Sequence, residues 1–379
     1  MDISKSRIVI ATHYLVYGAP QALREYLIDQ KINRLLFIAH PLQIDQTKSY
    51  CEKIKNGEII CKNETKIRSR RQIANYFLEI FLSIKWFLSE KEKFDMWIGV
   101  DPLNALIGIF IKKIKRVNRV VYYTIDYVPQ RFTNKTLNNF YHWIDKFCVK
   151  NADEVWNVSC RIAEGRENVR GLKMDLYCNQ KVVPIGVWFD RVKKLPFEQI
   201  KKHQLLFVGN LLEKQGVQLV LDAMPDIIKE IPDFHFLIVG GGEYEDILKN
   251  KVAELRLENS VTFAGWIKER KELDQIMADS ALAIAMYDSK KDNFTYYADP
   301  TKLKDYLSAG LPILLTDLPH NAKEIENNKC GKIIFYDKDQ ISQSVIQLMK
   351  DENNLKEYRM NATAYIKKFD WSIIFKNNL

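Results

Sequence analysis

The sequence predicts an α/β chain built as two tandem Rossmann-like, doubly wound domains facing a cleft. Three observations carry this. Short apolar runs of strand length alternate with helical segments along the chain, a pattern of parallel sheets covered by helices. The alternation stops once, in the polar, lysine-rich stretch "DRVKKLPFEQIKKHQ", and then restarts. The length, 379 residues, suits about two domains.

Taken in order, the first series of strands is expected at Arg7–Thr12, Arg34–Ala39, Asp95–Val100 and Val120–Thr124, with helices such as Gln21–Gln30 and Leu103–Ile114 between them. The second series falls at Leu205–Val208, Phe234–Val239, Ser260–Phe263, Leu282–Ala285, Ile313–Thr316 and Lys332–Phe335. Helices over Asp339–Lys350 and about Asn354–Phe369 follow. The domains are therefore drawn as 1–195 and 203–358, with a tail helix over 359–379 whose return to the first domain the pattern leaves open. In such folds ligands bind at the carboxyl ends of the strands.

Composition narrows the class. Apolar residues make up 47% of the chain, as in an ordinary globular protein. "MDISKSRIVI" lacks the apolar core of a signal peptide, and no apolar run reaches the ~18 residues of a membrane span. The six cysteines form no C-x-x-C pair, which fits reduced thiols in a cytoplasmic protein rather than a disulfide frame or zinc site. Charge is uneven: residues 1–200 hold 33 Lys and Arg against 21 Asp and Glu, the rest 24 against 27, which gives +12 and −3 within the net +9. A basic half suits an anionic neighbour such as a membrane surface. No basic-aromatic recognition motif points to nucleic acid.

The stretch "ADPTKLKDYLSAGLPIL", from Ala298, concentrates the chemistry. Asp299 is placed to cap a helix and Pro300 to occupy its first turn. Lys302 then stands where unpaired N–H groups already make the potential positive, which favours an anion such as a diphosphate beside it. At 100° per residue Lys302, Asp305 and Tyr306 share a face, and Lys304 points roughly opposite. Asp305 could accept hydrogen bonds from a ribose diol, as acidic residues do in nucleotide folds.

This stretch resembles the donor-binding helix of GT-B glycosyltransferases (group 1, family 4-like), in the variant reading P-x-K-x-x-E/D-Y-L-x-x-G-x-P. "LLFVGNLLEKQGVQLVLDAM", "FHFLIVGGGEYEDIL" and "SVTFAGWIKERKELDQIMADSALAIAMYD" are similar to units of the same nucleotide-binding domain. "FDMWIGVDPLNALIGIFIKK", "NADEVWNVS" and "VVPIGVWFD" are similar to the family's first domain. The resemblance implies backbone approach to a donor diphosphate at Gly209, framing of the base by Gly265, Trp266 and Ile267, and donor contacts at Asn210, Lys214, Tyr297, Asp299, Thr301, Lys302 and Asp305. Gly241, in a Gly-rich turn, is a weaker candidate. The family's paired Glu residues read Tyr297 and Asp305 here, and its two phosphate cations read Asn210 and Gln215, which loads the phosphate role onto Lys302.

On the acceptor side, transfer requires the attacking hydroxyl to lose a proton. Asp126, in "VVYYTIDYVPQRF", follows a strand, and inverting relatives place an aspartate base there; a turn cap before Pro129 is the plain alternative. His13 follows the first strand as a candidate sugar or acceptor contact, and Tyr17, Gly18 and Ala19 occupy a loop that brings backbone N–H groups to the donor in relatives. Asp101, before Pro102, reads as an N-cap. "DKD" at 337–339 reads as a turn and N-cap rather than a metal motif, and no metal or tightly bound cofactor is expected. Arg68, Arg70 and Arg71 with Tyr76, Phe77, Phe81, Trp86 and Phe87, together with Lys112, Lys113, Lys115, Arg116 and Arg119, suit an anionic membrane.

The resemblance implies an enzyme moving a sugar from a nucleotide-diphosphate sugar (UDP- or GDP-sugar) to a glycan or lipid-linked acceptor of a surface glycoconjugate. It would invert with Asp126 as base, in the cytoplasm or peripherally at the membrane's inner face. A catalytically inactive GT-B scaffold subunit and a sugar-nucleotide 2-epimerase are the alternatives.

Overall fold

The computed structural model describes residues 2–42, 48–66, 72–177, 179–291 and 294–379. The chain divides into two compact units, Met1–Ile185 with Trp371–Leu379, and Gly186–Asp370. The division falls ahead of the lysine-rich stretch rather than within it, because Val187 and Val192 already pack in the core of the second unit.

The first unit contains β1 (Arg7–Tyr14), β2 (Arg34–Pro41), β3 (Ser49–Lys55), β4 (Glu58–Thr65), β5 (Phe94–Val100), β6 (Val117–Thr124), β7 (Glu154–Asn157) and β8 (Gln180–Val182). They form one sheet in the order β4-β3-β2-β1-β5-β6-β7-β8. All neighbours are parallel except the hairpin β3–β4, which is added antiparallel beside β2. That hairpin turns at Asn56 and Gly57, both at positive φ (52° and 81°), the geometry of a two-residue turn whose twist matches paired strands. β1 is buried along its middle, as expected of a central parallel strand. Helices Gln72–Leu88, Pro102–Lys113 and Lys135–Asn151 contribute Trp86, Phe87, Ile109 and Ile144 to one core with Trp97 and Val120 of the sheet. Trp371–Asn378, the last helix, packs Phe375 against Tyr26 of the helix Ala19–Asp29 at 5.5 Å between ring centres.

The second unit contains β9 (Lys201–Val208), β10 (His235–Val239), β11 (Val261–Gly265), β12 (Ser280–Ala285), β13 (Ile313–Leu315) and β14 (Gly331–Ile333), all parallel, in the order β11-β10-β9-β12-β13-β14. Apolar cores line both faces of this sheet. In both units the strand order reverses beside the unit's first strand, between β1 and β5 and between β9 and β12. Such reversals are where doubly wound sheets open a crevice for ligands.

The helix Thr301–Ser308 begins one residue later than the sequence suggests. Pro300 is its N-cap, without a side-chain cap bond. Asp299, expected to cap it, is buried instead: it pairs with Lys304 and lies 3.3 Å from His320 Nε2. Burial opposes its charge, but Lys304 and His320 hold the carboxyl below its ordinary range. Lys304, only 1% exposed, also lies 4.2 Å from the centre of the Phe369 ring. The two lysines of "TKLKDY" thus have different duties. Removing one member of a buried pair costs about 3–5 kcal/mol. Lys304→Ala should therefore lower unfolding stability by about that amount in urea titration, and a loss under about 1 kcal/mol would contradict a structural role.

Candidate functional site

In the second unit, three loops that leave β9, β10 and β11 are tied together by main-chain bonds. Gly209 N–H donates to Val239 O (3.0 Å), Gly240 N–H to Gly265 O (2.8 Å) and Leu211 N–H to Gly241 O (3.0 Å). The closeness requires glycine at 240, where φ is 129° and a Cβ would stand 2.0 Å from Gly209 O. Gly241, the residue singled out in the sequence, has no such requirement, since a Cβ there would meet only Glu245 at 3.4 Å. Gly209, at φ 151°, has the Lys302 ammonium 3.4 Å from where its Cβ would be. Backbone and cation therefore meet at the β9–β12 reversal.

Lys302 stands in the first turn of Thr301–Ser308. Its Nζ donates to Gln215 Oε1 at 2.6 Å and lies 4.6 Å and 5.0 Å from the ring centres of Phe207 and Tyr287. Those aromatic faces stabilise a cation, but no carboxylate among the described residues offsets its lost hydration, and burial pushes the ammonium down to about 7. Gln215 gains a reason here: a second ammonium at 2.6 Å would repel Lys302, whereas an amide oxygen accepts from it.

Asp305, one turn along, is not isolated. Its Oδ1 accepts from Arg270 Nη2 at 2.7 Å, and Arg270 Nε donates to Asp274 at 2.7 Å. Tyr306 is buried, and its hydroxyl accepts from Val208 N–H at 2.6 Å, fixing the helix to the end of β9. Of the other candidates, Asn210 and Thr301 are exposed and Trp266 is 63% exposed beside Gly265. Ile267 packs on the core. Lys214 Nζ lies 4.8 Å from the Phe294 ring centre, and Tyr297 is half-buried against Tyr296. The structure brings Gly209, Gln215 and Lys302 into one cluster. Phe207 and Tyr287 belong with it and, like Arg270 beside Asp305, were not singled out in the sequence, because the sheet order sets them there.

In the first unit the β1–β5 reversal holds a polar cluster. His13, at the end of β1, contacts Asp101 Oδ2 through Nδ1 (2.5 Å) and Glu79 Oε2 through Nε2 (3.0 Å). Asp101 caps Pro102–Lys113 as expected, its Oδ1 accepting from Leu103 and Asn104 N–H at 2.9 and 3.1 Å, and Oδ2 accepts from Asn104 Nδ2 at 2.8 Å. Its φ of 79° is strained for a residue with a Cβ. Burial opposes charge on His13, but Asp101 and Glu79 outweigh it and raise the imidazolium to about 10. With both ring nitrogens donating, His13 is a fixed cation and not a free base. His40, 5.9 Å away between ring centres, is held neutral by burial and bonded to Ser49 and Ser83.

Asp126 lies beyond β6, with its side chain 55% exposed, and accepts from Arg131 Nη1 at 3.1 Å. The Gly18 N–H donates to Gln21 Oε1 at 3.0 Å at the start of Ala19–Asp29, half of a capping box, since glycine has no side chain to return the bond. Tyr17 is exposed and Ala19 buried. Asp337 of "DKD" caps Lys338–Lys350. Among the described residues no group of three or more His, Cys, Asp or Glu is placed to hold a metal ion.

Residues 190–368 match the family of glycosyl transferases group 1. The poly(glycerol-phosphate) alpha-glucosyltransferase of Bacillus subtilis is 20% identical over 378 residues, covering 96% of this chain and 50% of that one. An uncharacterized glycosyltransferase of Methanocaldococcus jannaschii is 26% identical over 287 residues, 71% of this chain and 69% of the other. Anabaena HepE, solved with UDP, shares the fold at a TM-score of 0.71 with 14% identity, over 98% of each chain. The chain has the GT-B fold, and the match to glycosyl transferases group 1 falls on nearly the whole of its second unit. It spans half the length of the B. subtilis relative.

The His13 cluster makes a pH signature. An imidazolium raised above its unfolded value stabilises fully below about 6.5 and loses that contribution as pH rises through about 10. The stability gap between wild type and His13→Gln should narrow across that window in denaturant titrations at stepped pH. A gap that is flat from 6.5 to 10 would contradict the double clamp.

Proposed function

We propose that this chain is a glycosyltransferase that takes its sugar from a nucleoside-diphosphate sugar and passes it to an acceptor of a surface glycan or lipid-linked glycoconjugate. One observation carries the donor half of this reading: Lys302 brings an ammonium beside Gly209 with an amide oxygen and two aromatic rings, but no carboxylate, as its partners among the described residues. A diphosphate supplies what that cation lacks, and the free N–H groups of its helix add to the attraction. The match to group 1 glycosyl transferases supports the reaction class. HepE, solved with UDP and with UDP-glucose, favours a uridine nucleotide over guanosine.

In calorimetry or thermal shift with UDP, Lys302→Ala should lose about 10-fold or more in affinity, as expected for a charge-assisted bond of about 1.5–3 kcal/mol, while Lys302→Arg keeps part of it. Unchanged binding by Lys302→Ala would remove the donor assignment and favour a scaffold role.

For the acceptor, Asp126 is a carboxylate with a 55% exposed side chain just beyond β6, whereas both ring nitrogens of His13 are held by carboxylates. As base, Asp126 would drive inversion. Asp126→Asn is then expected to bind UDP normally and lose about 100-fold or more in transfer, in line with general-base catalysis. An α-linked product from UDP-glucose, as the name of the B. subtilis relative implies for that enzyme, would retire the assignment.

Membrane contact is read from one helical layer. On Gln72–Leu88, Phe77, Phe81 and Leu88 are exposed, while Trp86 and Phe87 turn inward. Beside it, Phe140, Trp143, Phe147 and Phe110 stack in sequence at 6.0, 6.1 and 6.4 Å, with Lys113 over the last two rings. Lys112, Arg116 and Arg119 are held by Asp153, Glu90 O and Glu154, which leaves Lys113 and Lys115 exposed. Arg68, Arg70 and Arg71 lie outside the described residues. Among those described, no helix is long and apolar enough to cross a membrane. Exposed aromatics beside lysines suit insertion at an anionic surface. The protein should pellet with phosphatidylglycerol liposomes, less so with pure phosphatidylcholine, and Phe81→Ser with Trp143→Ser should abolish it; indifference to lipid charge would contradict the reading.

A further inference from the structure

Arg270 opens the helix Arg270–Asp279, just beyond the loop that leaves β11. Its guanidinium is held at two edges by carboxylates of different elements, Nε on Asp274 Oδ1 and Nη2 on Asp305 Oδ1, both at 2.7 Å. The first is a local i, i+4 pair of the kind worth a few tenths of a kcal/mol. The second spans 35 residues and ties the β11 loop to the helix that carries Lys302.

That tie changes Asp305 in two ways. It fixes one carboxylate oxygen and leaves the other, Oδ2, without a contact among the described residues, on a side chain that keeps 16% of its exposure. It also offsets a negative charge that stands three positions from Lys302, where an unbalanced carboxylate would repel a bound diphosphate. Aspartate is one methylene shorter than glutamate, so it has less freedom to search for a partner, and its orientation has to be set from outside. A planar fork with several donors is suited to that.

We propose that Arg270 is a positioning residue for the nucleotide: it turns Asp305 Oδ2 outward to accept from the ribose hydroxyls and cancels the charge that Asp305 would set against the diphosphate. This rests on the donor-binding reading above. The role is specific to the sugar of the nucleotide, so it is separable from phosphate binding by Lys302.

The test is calorimetric titration of wild type, Arg270→Gln, Arg270→Lys, Asp305→Asn and the Arg270→Gln/Asp305→Asn double variant. The probes are UDP, GDP, the 2′,3′-dideoxy analogue of whichever binds tighter, and inorganic pyrophosphate. Wild type should prefer the ribonucleotide over its dideoxy analogue by about tenfold, one good hydrogen bond to a charged group. Arg270→Gln and Asp305→Asn should each bring that ratio close to one, and the double variant should do no more. Pyrophosphate affinity should fall in Arg270→Gln and recover in the double variant. Arg270→Lys, which keeps the charge without the fork, should hold pyrophosphate and lose part of the ribose preference; it carries the test if Arg270→Gln fails to fold by circular dichroism. A ribose preference absent from wild type, or intact in Arg270→Gln, overturns the proposal and leaves the donor reading standing. Failure of wild type to bind either diphosphate overturns both.

Discussion

The proposed donor site depends on a cation kept short of a counter-charge. Lys302 is partly withdrawn from water beside Phe207, Tyr287 and the backbone at Gly209, and among the described residues it has received one amide oxygen in return. An ammonium in that setting is disfavoured unless an anion arrives, which is why burial draws it down to about 7. The rest of the second unit serves that arrangement. Tyr306 fastens the helix to β9, the Asp299–Lys304 pair anchors it from the buried side, and Gly240 lets the neighbouring loops close behind Gly209. A cation held by a buried ion pair and a glycine pack, yet short of a counter-charge among the described residues, is the kind of group that marks candidate ligand sites.

The two units repeat one topological device with opposite chemistry. Each reverses its strand order beside its first strand, and each puts a charged cluster there. In the second unit the cluster is a cation with no carboxylate partner among the described residues. In the first it is an imidazolium held by two carboxylates, closed on itself and costly in strain at Asp101. The first cluster is satisfied and rigid, so it shapes the end of β1 and β5. In the proposed reaction, proton transfer falls to a group outside it, and exposed Asp126 is the candidate.

Much of this was legible in the sequence, for physical reasons that differ by element. The parallel strands were readable because strands buried on both faces must be apolar, so β1, β2 and the apolar half of β9, Leu205–Val208, announce themselves, while the polar Lys201–Gln204 half of β9 did not. The hairpin β3–β4 was overlooked although Asn56–Gly57 is a strong turn signal, because its outer strand is exposed and carries no apolar period. The Lys302 helix was readable from its Pro, Lys and Gly positions. Its cap was misassigned: Asp299 has a stronger partner in Lys304, five residues on, and a buried charge pair outcompetes a cap worth about 1 kcal/mol. Gly18 looked like a donor contact, and a glutamine three residues later claimed its N–H. His13 with Asp101 and Arg270 with Asp305 were out of reach, since the residues meet only through strand order across 88 and 35 positions.

The central claim is that Lys302 is an ammonium awaiting a diphosphate, and its titration tests this most directly. Lysine labelled at the side chain, assigned by comparison with Lys302→Arg, can be followed by NMR against pH with and without UDP. The account requires a midpoint near 7 in the free protein and a rise of roughly two units or more when UDP is bound, as an adjacent opposite charge produces. A midpoint near the ordinary lysine value in the free protein, or one that UDP leaves unmoved, would contradict it.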